Sequence, residues 1–526
     1  MFDPEVVSLV KKLIDNGYEA YLVGGVVRDY LLGCPSHDYD VTTNAFPNEI
    51  KKIYNDYQIF SYGEKFGTIG INYLDKVIEI TTFRSEDGYF DNRHPAKVSF
   101  GATLEDDCLR RDFTINAIAY DVKNDKIVDL MGGIDDLNNH IIRSVGIPDK
   151  RFSEDALRII RAIRFSAKLG FDIEEETKES IFKNYQLLKN ISKERITEEI
   201  AKIVLDDITD IVLTYYDVFK FLIPELNGFN YDLLRIRSNE LVFRMFMFLN
   251  KVSDINKALN NFRFPKITNE RIKNLFYHQD LVLDNDLANV RILLHKIGLN
   301  AYNDLNEYRK LVGLPYTNDE VLNEAIELGY QNSILPVNGR NIKVYALAKG
   351  EEIGKCLEEV FEMVVKEKID NSVESIKDYL FIKYGKDRYI AQKKTVLEKV
   401  LALARVKGVK ISVGASAMLY MRGVVDYFSD LDLSINVDDY ELIKNDLEQI
   451  ASKNGTKWGY IHCFTIDGVN IDLICKEYDV LKDCDINYLV GKEYVPLETL
   501  DHWLNRYTEL GRSVRVRQIK EYMEAN

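Results

Sequence analysis

The stretch from Ala20 to Thr43 constrains the fold more than any other part of this 526-residue chain. Its apolar residues 20–23 predict a strand that ends at Gly24 and Gly25. Glycines at such a turn let backbone amides close on a phosphate, and the N-terminus of the following helix adds positive potential. Residues 38–43 predict a second strand. The order strand, glycine turn, helix and strand indicates an α/β unit that binds a phosphorylated ligand.

Two carboxylates, Asp38 and Asp40, stand at positions i and i+2 of this second predicted strand. Side chains two residues apart in a strand share a face, so both can converge on metal ions. Mg²⁺ prefers oxygen ligands and is bound through few carboxylates plus substrate phosphates. Alone, a glycine pair or an Asp-x-Asp strand is often only a turn or a solvated face. Together, in this order, they predict a site for a nucleoside triphosphate and metal ions.

A third acid, Glu79, lies inside the apolar strand pattern of residues 77–81. Burying a carboxylate without a partner is costly. Glu79 is therefore either a third carboxylate of the site, serving the metals or activating a hydroxyl, or an edge residue that faces water. The polar stretch Ser85–Pro95 follows, and its Gly and Pro residues predict a mobile loop.

Helical periodicity begins near Phe152 and predicts one helix to Gly170. Along it Asp155, Arg158, Arg161 and Arg164 recur every three residues on one slowly rotating face. A solvated face with ordinary ion pairs is one interpretation. Three arginines beside an aspartate also suit a planar or anionic ligand.

Bulk properties narrow the class of protein. The net charge of −15 excludes a chain coated in positive charge, although a local basic groove can still bind nucleic acid. Six cysteines without a Cys-x-x-Cys pair fit free thiols in a reducing compartment. We expect a cytoplasmic protein, since no signal-peptide pattern opens the chain and no apolar run has the length of a membrane span.

The pattern of the first 145 residues returns after a helical middle region. Beyond about residue 390 the sequence again predicts a strand, a glycine turn, a helix and an Asp-x-Asp strand. A later strand again carries one acid. The chain is therefore expected to hold two copies of one α/β architecture, remote from each other in sequence.

Several motifs resemble those of the class II CCA-adding tRNA nucleotidyltransferases, a group that shares its catalytic core with bacterial poly(A) polymerases. In chain order they are Gly24-Gly25-Val26-Val27-Arg28-Asp29 with Asp38-Tyr39-Asp40, Glu79-Ile80-Thr81-Thr82-Phe83-Arg84, Arg110-Arg111-Asp112-Phe113-Thr114-Ile115-Asn116-Ala117, Glu154-Asp155-x-x-Arg158-x-x-Arg161, and Glu194-Arg195-Ile196-x-x-Glu199. The resemblance covers roughly residues 1–385. Several independent motifs in the right order make it specific.

This resemblance implies an α/β nucleotidyltransferase head followed by all-α neck, body and tail regions. The expected boundaries are 1–145 for the catalytic head, 146–228 for the helical neck with a base-selecting helix, and 229–388 for the body and tail that bind tRNA. Residues 389–526 are expected to form a second, small α/β nucleotidyltransferase-like domain.

The resemblance also implies the reaction. The 3′-hydroxyl of tRNA attacks the α-phosphate of CTP or ATP, and pyrophosphate leaves. Two Mg²⁺ ions held by Asp38 and Asp40 would assist, with Glu79 as a further catalytic carboxylate. Triphosphate binding is expected from Gly24, Gly25 and Arg28, and ribose and phosphate binding from Arg111, Asp112 and Asn116.

The family resemblance implies that the arginine-bearing helix selects the base of the incoming nucleotide. A guanidinium donor at Arg158 beside a carboxylate acceptor at Asp155 matches cytosine and adenine and rejects uracil and guanine. Glu154 would orient Arg158, and Arg161 and Arg164 would lean toward phosphates. The tRNA acceptor stem would be recognised by its shape and backbone, because the bases of an A-form helix are hard to reach.

Three alternatives share the fold: an enzyme that adds only A to tRNA, a poly(A) polymerase, and a non-catalytic RNA-binding protein. The intact Asp87–Pro95 segment argues against an enzyme that adds only CC. The second domain resembles small nucleotidyltransferases of antibiotic-modifying and toxin–antitoxin systems. Its expected phosphate and metal groups are Gly414, Ser416, Asp430, Asp432 and Asp472, with a degenerate copy as the alternative.

Overall fold

A computed structural model describes residues 2–35, 39–73, 76–89 and 95–525. Asp38 lies outside these ranges. The chain divides into two units, one formed by residues 1–285 and 297–318 and the other by residues 286–296 and 319–526. In the described ranges, every helix is too short or too polar to cross a membrane.

The first unit begins with an α/β head built on a seven-stranded sheet. Its strands and an additional hairpin are β1 (Ala20–Val23), β2 (Asp40–Thr43), β3 (Gln58–Phe60), β4 (Thr68–Tyr73), β5 (Lys76–Thr82), β6 (Arg84–Tyr89), β7 (Pro95–Phe100), β8 (Ala119–Asp121) and β9 (Lys126–Val128). The sheet order is β3-β4-β5-β2-β1-β8-β9. In the described part of the head, five α-helices accompany the strands: α1 (Pro4–Asp15), α2 (Gly25–Leu31), α3 (Pro47–Ile53), α4 (Leu104–Leu109) and α5 (Gly133–Asn138).

The apolar stripe of α1 packs against the sheet. Leu9 and Leu13 of this helix are buried in one cluster with Leu22 of β1, Ile69 of β4 and Ile80 of β5. Their spacing along α1 matches the helical period, and the strand residues alternate with polar positions on the opposite face. One face of the sheet is thereby covered, which leaves the other for polar groups.

The prediction of a loop at Ser85–Pro95 is wrong for both ends of this segment, which lie in strands. Residues 84–89 and 95–100 form the antiparallel hairpin β6–β7, with Arg84 opposite Phe100 and Tyr89 opposite Pro95. A polar composition misleads here because a two-stranded ribbon does not have to bury a face. Pro95 is tolerated because it is the first residue of its strand. Residues 90–94 lie outside the described ranges.

Helices make up the rest of the first unit. They and two short strands are β10 (Ile141–Ile142), α6 (Pro148–Glu154), α7 (Leu157–Leu169), β11 (Asp172–Ile173), α8 (Glu175–Asn184), α9 (Lys193–Leu205), α10 (Thr209–Thr214), α11 (Tyr216–Leu222), α12 (Tyr231–Leu234), α13 (Leu241–Leu249), α14 (Ile255–Asn260), α15 (Lys266–His278), α16 (Leu287–Ile297) and α17 (Leu299–Leu311). Of these, α16 belongs almost wholly to the second unit.

The single helix predicted from Phe152 to Gly170 is wrong, because the chain breaks it at Asp155. This residue adopts φ −135° and ψ 102°, between the end of α6 and the start of α7. Its Oδ1 accepts a hydrogen bond of 3.1 Å from the amide of Leu157. An aspartate that bonds a nearby amide competes with helical hydrogen bonding, which explains the break.

A buried arginine joins several helices of this unit. Arg244 is 2% exposed, in the middle of the apolar helix α13. Its guanidinium donates to the carbonyls of Leu234 at 2.9 Å and Asp206 at 2.6 Å, and also to those of Val204 and Ile236. Five fixed N–H donors can satisfy carbonyl groups that helix ends leave unpaired. The ends of α9 and α12 are thereby fixed to α13.

The second unit has a helical part and an α/β part. Its further elements are α18 (Asp319–Glu327), α19 (Gly339–Tyr345), α20 (Glu352–Val365), α21 (Val373–Leu380), α22 (Lys386–Lys407), β12 (Ile411–Val413), α23 (Ala415–Met421), β13 (Leu431–Asn436), α24 (Val437–Ile450), β14 (Lys453–Lys457), β15 (Ile461–Ile466), β16 (Val469–Lys476), β17 (Cys484–Val490), β18 (Glu493–Glu498), α25 (Leu500–Glu509) and α26 (Ser513–Ala525). The expected boundary at 388/389 falls inside the first turn of α22.

The expected second copy of the head architecture is confirmed. The second large sheet has the order β14-β15-β16-β13-β12-β18-β17. Its first five strands match β3-β4-β5-β2-β1 in position and in direction: two antiparallel pairs, one parallel pair and one antiparallel pair. The copies diverge at the other edge, where β1 and β8 are antiparallel whereas β12 and β18 are parallel.

Candidate active site of the head

The turn after β1 requires glycine at its first position. Gly24 has φ +78° and ψ −140°, a conformation that L-residues rarely adopt. A Cβ added there would lie 3.3 Å from both Arg111 Nη1 and Asp40 Oδ2. Gly25 then begins α2. The turn thus brings the backbone close to a predicted metal ligand and a predicted phosphate ligand.

Asp40 and Glu79 lie side by side on the open face of the sheet. The strands β2 and β5 are parallel, and these two residues are paired in register. Glu79 is exposed between the buried residues Ile78 and Ile80, and β5 is an interior strand. The alternative of an edge position is therefore wrong, although the side chain does face out of the core.

The carboxylate pair fits a divalent cation that keeps water and phosphate ligands. Within the described ranges, no three His, Cys, Asp or Glu side chains already form a metal-binding cluster. Mg²⁺ is commonly held by one or two carboxylates and substrate phosphates, so a complete protein cage is not expected. Asp40 supplies an oxygen beside the glycine turn, which is the donor chemistry that Mg²⁺ prefers.

A cavity of about 690 Å³ opens over this part of the head and the adjoining helices. Its lining residues are Gly24, Gly25, Arg28, Asp29, Pro35, Asp40, Glu79, Arg111, Asp112, Asn116, Arg161, Arg164, Phe165, Lys168 and Lys202. Four arginines and two lysines face four carboxylates in this set. The cavity therefore combines a cationic lining, suited to phosphates, with acids suited to cations.

A chain of hydrogen bonds connects α2 to α7 behind the cavity. Arg28 Nη1 donates to Asn116 Oδ1 at 2.6 Å, and Asn116 Nδ2 donates to Asp112 Oδ1 at 3.2 Å. Asp112 Oδ2 accepts from Arg161 Nε at 2.8 Å and Nη2 at 2.6 Å. Burial favours the neutral form of Asp112, but the Arg161 guanidinium outweighs it and lowers the pKa of Asp112 to about 2. Four predicted site residues thus form one network.

Phe165 lies at the centre of a cationic wall, the part of the cavity lining that Arg28, Arg161 and Arg164 form. The guanidinium carbons of Arg164, Arg28 and Arg161 lie 4.3, 5.2 and 5.4 Å from the centroid of its ring. A phenyl face attracts cations, so one ring stabilises three side chains of like charge near each other. Phe165 is not among the site residues predicted from the sequence.

Two buried acids, for which no role was predicted from the sequence, also organise the site. Glu199 Oε2 lies 2.7 Å from Arg164 Nε, and Glu199 Oε1 lies 3.9 Å from Arg161 Nη1. Asp107, which is fully buried, pairs with Arg110 at 2.8 Å and Arg111 at 3.5 Å. Burial opposes ionisation of Asp107, but these two arginines keep its pKa below the ordinary value. The spacing of three and four residues in and after helix α4 could have revealed the Asp107 contacts.

The side chains of Asp155 and Arg158 bind different partners in this structure. Arg158 Nη2 donates to the carbonyl of Arg110 at 2.7 Å, and Nη1 donates to Glu154 Oε2 at 3.2 Å. Asp155 Oδ2 accepts from Arg195 Nη2 at 3.2 Å. The expected contact between Glu154 and Arg158 is present, whereas neither Asp155 nor Arg158 lines the cavity described above.

The α/β part of the second unit repeats the carboxylate arrangement. Asp432 of β13 is paired in register with Asp472 of β16. Burial, together with the nearby carboxylates of Asp430, Asp472 and Glu498, raises the pKa of Asp432 to about 7. Gly414 donates its amide to the Asp432 carbonyl at 2.9 Å. Three of the five expected groups of this domain thus lie together.

Comparison with known proteins defines the class of this chain. The model of the poly(A) polymerase head domain matches residues 20–143, and that of the probable RNA and SrmB-binding site of polymerase A matches residues 170–229. With the strand order of the head and the Asp40–Glu79 pair, these matches define a nucleotidyltransferase of the poly(A) polymerase type.

Individual relatives narrow the family. The CCA-adding enzyme of Lactobacillus helveticus (strain DPC 4571) is 34% identical over 389 residues, which cover 72% of this chain and 96% of the relative. That of Staphylococcus aureus (strain MRSA252) is 46% identical over 196 residues, 37% of this chain and 48% of the relative. The chain belongs to the CCA-adding enzymes.

A solved structure agrees with this assignment. The crystal structure of the Bacillus stearothermophilus CCA-adding enzyme in complex with CTP matches with a TM-score of 0.57 at 27% identity, covering 74% of this chain and 98% of that one. Each of these nearly complete matches leaves about a quarter of this chain without a counterpart. That remainder of the chain lies outside the match to either of these two proteins.

Proposed function

We propose that the head and its adjoining helices add CCA to the 3′ end of tRNA, using CTP and ATP and releasing pyrophosphate. The alignment with CCA-adding relatives along nearly their whole length carries this proposal. The adjacent acids Asp40 and Glu79 beside a cationic cavity supply the chemistry that it requires.

In the proposed reaction, the 3′-hydroxyl oxygen of the tRNA forms a bond to the α-phosphorus. The bond between that phosphorus and the bridging oxygen breaks, and the electron pair leaves with pyrophosphate. Divalent ions, which we infer to be two Mg²⁺ bound by Asp38 and Asp40, would supply charge neutralisation and a lowered pKa for the attacking hydroxyl. Glu79 lies beside Asp40 and is assigned to accept the proton that the attacking hydroxyl loses.

The triphosphate is assigned to the glycine turn and to the cations of the cavity. Arg28 and Arg111 lie on the head side, and Lys168 and Lys202 lie on the helical side. Arg161 and Arg164 between them are held by buried acids, which fixes guanidinium positions before a nucleotide arrives. Donors that are positioned in advance stabilise developing phosphate charge without a cost of reorganisation.

Base choice is assigned to Asp155 and Arg158. Cytosine and adenine both offer a ring nitrogen acceptor beside an amine donor, whereas uracil and guanine reverse that pattern. Arg158 now donates to the Arg110 carbonyl and to Glu154, and Asp155 is bound by Arg195. Pairing with a base therefore requires both side chains to exchange these partners.

The tRNA acceptor is assigned to the helical part of the first unit. Contacts to an A-form stem are mostly to its backbone, so binding should weaken as salt rises. We place the enzyme in the cytoplasm, where tRNA and nucleoside triphosphates are available.

Addition to tRNA that lacks its 3′ CCA tests the reaction. Product sequencing after incubation with CTP alone should reveal two added C residues, and CTP with ATP should complete CCA. Failure to add C would overturn the proposal in favour of A-only addition, and a long A tail would indicate a poly(A) polymerase.

Base selection has a separate test. Asp155→Ala and Arg158→Ala should raise incorporation of UTP and GTP relative to CTP and ATP. Lys150→Ala, on the exposed surface of α6, is the matched control and should keep the wild-type preference. Unchanged selectivity in both site variants would remove Asp155 and Arg158 from base recognition.

A further inference from the structure

A single row of residues crosses the open face of the head sheet, from the acid pair toward the edge strand β3. Asp40 is paired with Glu79, and Glu79 is paired with Gly70 of β4. Gly70 is in turn paired with Phe60 of β3. Residues paired across neighbouring strands point to the same face, and Glu79 and Phe60 are two strand spacings apart, about 10 Å. An aromatic ring therefore shares the face that carries the acids.

A cavity of about 450 Å³ lies over this row, and we call it the aromatic groove. Its lining residues are Phe60, Tyr62, Gly63, Phe66, Thr68, Gly70, Val77, Glu79 and Arg84. Glu79 also lines the cationic cavity of about 690 Å³ that is assigned to the incoming nucleotide. The two cavities therefore meet at the carboxylate beside Asp40.

Gly70 keeps the floor of the aromatic groove open next to Glu79. A Cβ added at Gly70 would lie 3.3 Å from both Phe60 Cβ and Val77 Cγ1. A larger side chain would fill the space between the aromatic ring and the acid. The glycine thus leaves a continuous path from Phe60 to the reacting centre.

The aromatic side chains of the groove reach solvent. Tyr62 is 91% exposed, and its ring stacks on that of Phe60 with 6.0 Å between centroids and 13° between planes. Phe66 is half-buried, and Lys65 Nζ lies 4.7 Å from the centroid of its ring. Exposed apolar groups that lie together mark interaction sites, and aromatic rings are surfaces on which unpaired bases stack.

The turn Glu64–Phe66 is held in a fixed position. Gly67, which ends it, has φ +85°, and a Cβ there would lie 2.6 Å from Phe100 Cε1 of β7. Arg84 Nη1 of β6 donates to the carbonyl of Phe66. Both strands of the hairpin therefore hold this turn. A ring that is positioned in advance binds a ligand at a smaller cost in conformational entropy.

Charge distinguishes the two cavities. Among the described residues, the lining of the aromatic groove contains one arginine and one carboxylate, whereas the other cavity contains four arginines and two lysines. The guanidinium of Arg84 already donates to the Phe66 carbonyl. A triphosphate is therefore favoured in the cationic cavity, and the aromatic groove suits uncharged nucleobases.

The direction of attack also separates the two substrates. In phosphoryl transfer the attacking and leaving oxygens lie roughly in line, on opposite sides of the phosphorus. Because pyrophosphate leaves within the cationic cavity, the strand that carries the attacking hydroxyl has to reach the acid pair from another side. The aromatic groove adjoins the acid pair at Glu79 and offers such an approach.

From these contacts we propose that the aromatic groove binds the last unpaired bases of the tRNA acceptor end, with Phe60 and Tyr62 as their stacking surface. This inference rests on the proposed addition of CCA. Successive additions change the terminal base of the acceptor, so its site has to accept different bases. Stacking meets this need because every base has a π-face, and it selects unpaired ends over helical RNA.

Fluorescence of 2-aminopurine tests the base contact on the full-length chain without requiring catalysis. The probe is a tRNA acceptor minihelix with 2-aminopurine as its last unpaired base, because stacking quenches the emission of this base. Binding to the wild type should lower the emission. Tyr62→Ala should reduce this quenching and raise the Kd of the minihelix about five- to tenfold, the effect of losing one stacking contact. The high exposure of Tyr62 makes this substitution compatible with folding.

Two further variants accompany Tyr62→Ala. Phe60→Leu keeps an apolar contact with the sheet but removes the second ring, so it should also reduce the quenching. Tyr494→Ala, at an exposed tyrosine of β18, is the matched control and should keep the wild-type quenching and Kd. In incorporation assays with tRNA that ends in CC, Tyr62→Ala should raise KM for tRNA and leave KM for ATP unchanged.

The outcomes separate this inference from the proposed reaction. Wild-type quenching and affinity in both Tyr62→Ala and Phe60→Leu would overturn the groove assignment, even where the wild type adds CCA. An equal loss in Tyr494→Ala would overturn it as well. Quenching that depends on Tyr62, in a protein that fails to incorporate C, would support the base contact and refute the addition of CCA.

Discussion

Asp112 and Arg161 join the segment after α4 to helix α7 through two hydrogen bonds, from Nε at 2.8 Å and Nη2 at 2.6 Å to the same carboxylate oxygen. Asp112 is nearly buried, whereas the Arg161 side chain keeps one third of its surface exposed. The ion pair therefore links the catalytic head to helix α7, which carries Arg161 and Arg164 of the cationic wall. It is a stabilising contact as well as part of the cavity.

Asp112→Asn should lower the free energy of unfolding at neutral pH. It should also make that free energy less dependent on pH in the acid range. The pKa of Asp112 in the folded protein is about 2, below the ordinary 3.8. The contribution of the Asp112 carboxylate to the free energy of unfolding is therefore complete above about pH 4, and it is lost as pH falls toward 2. A shift of this size corresponds to about 2 kcal/mol.

Urea unfolding at pH 7 and at pH 3 measures this effect. The free energy of unfolding should fall less between the two pH values in Asp112→Asn than in the wild type. Asp135→Asn, an exposed acid on α5, should behave like the wild type. Equal pH dependence in wild type and Asp112→Asn would contradict the ion-pair assignment.

Gly24→Ala should impair both folding and catalysis. Its φ of +78° imposes strain of about 1–3 kcal/mol on alanine, and the new Cβ would crowd Asp40 and Arg111 at 3.3 Å. Gly17→Ala is a matched control, since Gly17 has φ +90° and open space around it. Both variants should lose thermal stability, but only Gly24→Ala should lower kcat/KM for nucleotide addition. A similar loss of kcat/KM in both would show that strain alone is responsible.

Asp40→Asn should abolish nucleotide addition and retain tRNA binding. The amide keeps the size of the side chain but cannot supply a charged metal ligand. Loss of metal assistance is worth several kcal/mol, so kcat should fall by about a thousandfold or more. Rapid-quench incorporation assays and filter binding of tRNA measure the two properties, with the exposed Asp56→Asn of the head as control. Incorporation at the wild-type rate would refute the assignment of Asp40 to the metal.

Phe165→Leu should raise KM for both CTP and ATP by about three- to tenfold, with a small change in kcat. Leucine keeps an apolar core contact but removes the ring that stabilises Arg28, Arg161 and Arg164, each worth about 0.5–1 kcal/mol. Phe171→Leu, whose ring packs against His140 at 4.8 Å, is the control for lost aromatic packing. Equal effects of both substitutions on KM would mean that the cation contacts are not specific.

Local sequence patterns predict an element correctly where its hydrophobic periodicity and the residues of its flanking turns indicate the same structure. The strand at residues 20–23, the glycine turn and the helix that follows it agree with local preference and are present. The copy in the second unit was predicted for the same reason. The resemblance to a known family supplied the roles of site residues, which spacing alone does not reveal.

Other features depend on contacts that local patterns do not encode. The break at Asp155 arises from one side-chain hydrogen bond that outweighs an otherwise helical period. The hairpin β6–β7 pairs polar segments whose composition indicated a loop. Phe165 and Glu199 belong to the site because α7 and α9 bring them to the arginines, and only the tertiary structure places those helices.

The correspondence of five strands between the two sheets has a consequence for protein engineering. Among the residues that the structure describes, the carboxylates assigned to the two predicted metal centres lie on or beside these five strands, whereas the remaining two strands differ in direction. A chimera should therefore tolerate exchange of the five-strand block as a single cassette. The junction of such a chimera should lie between β12 and β18, because the neighbour of the fifth strand is parallel in this sheet and antiparallel in the sheet of the head.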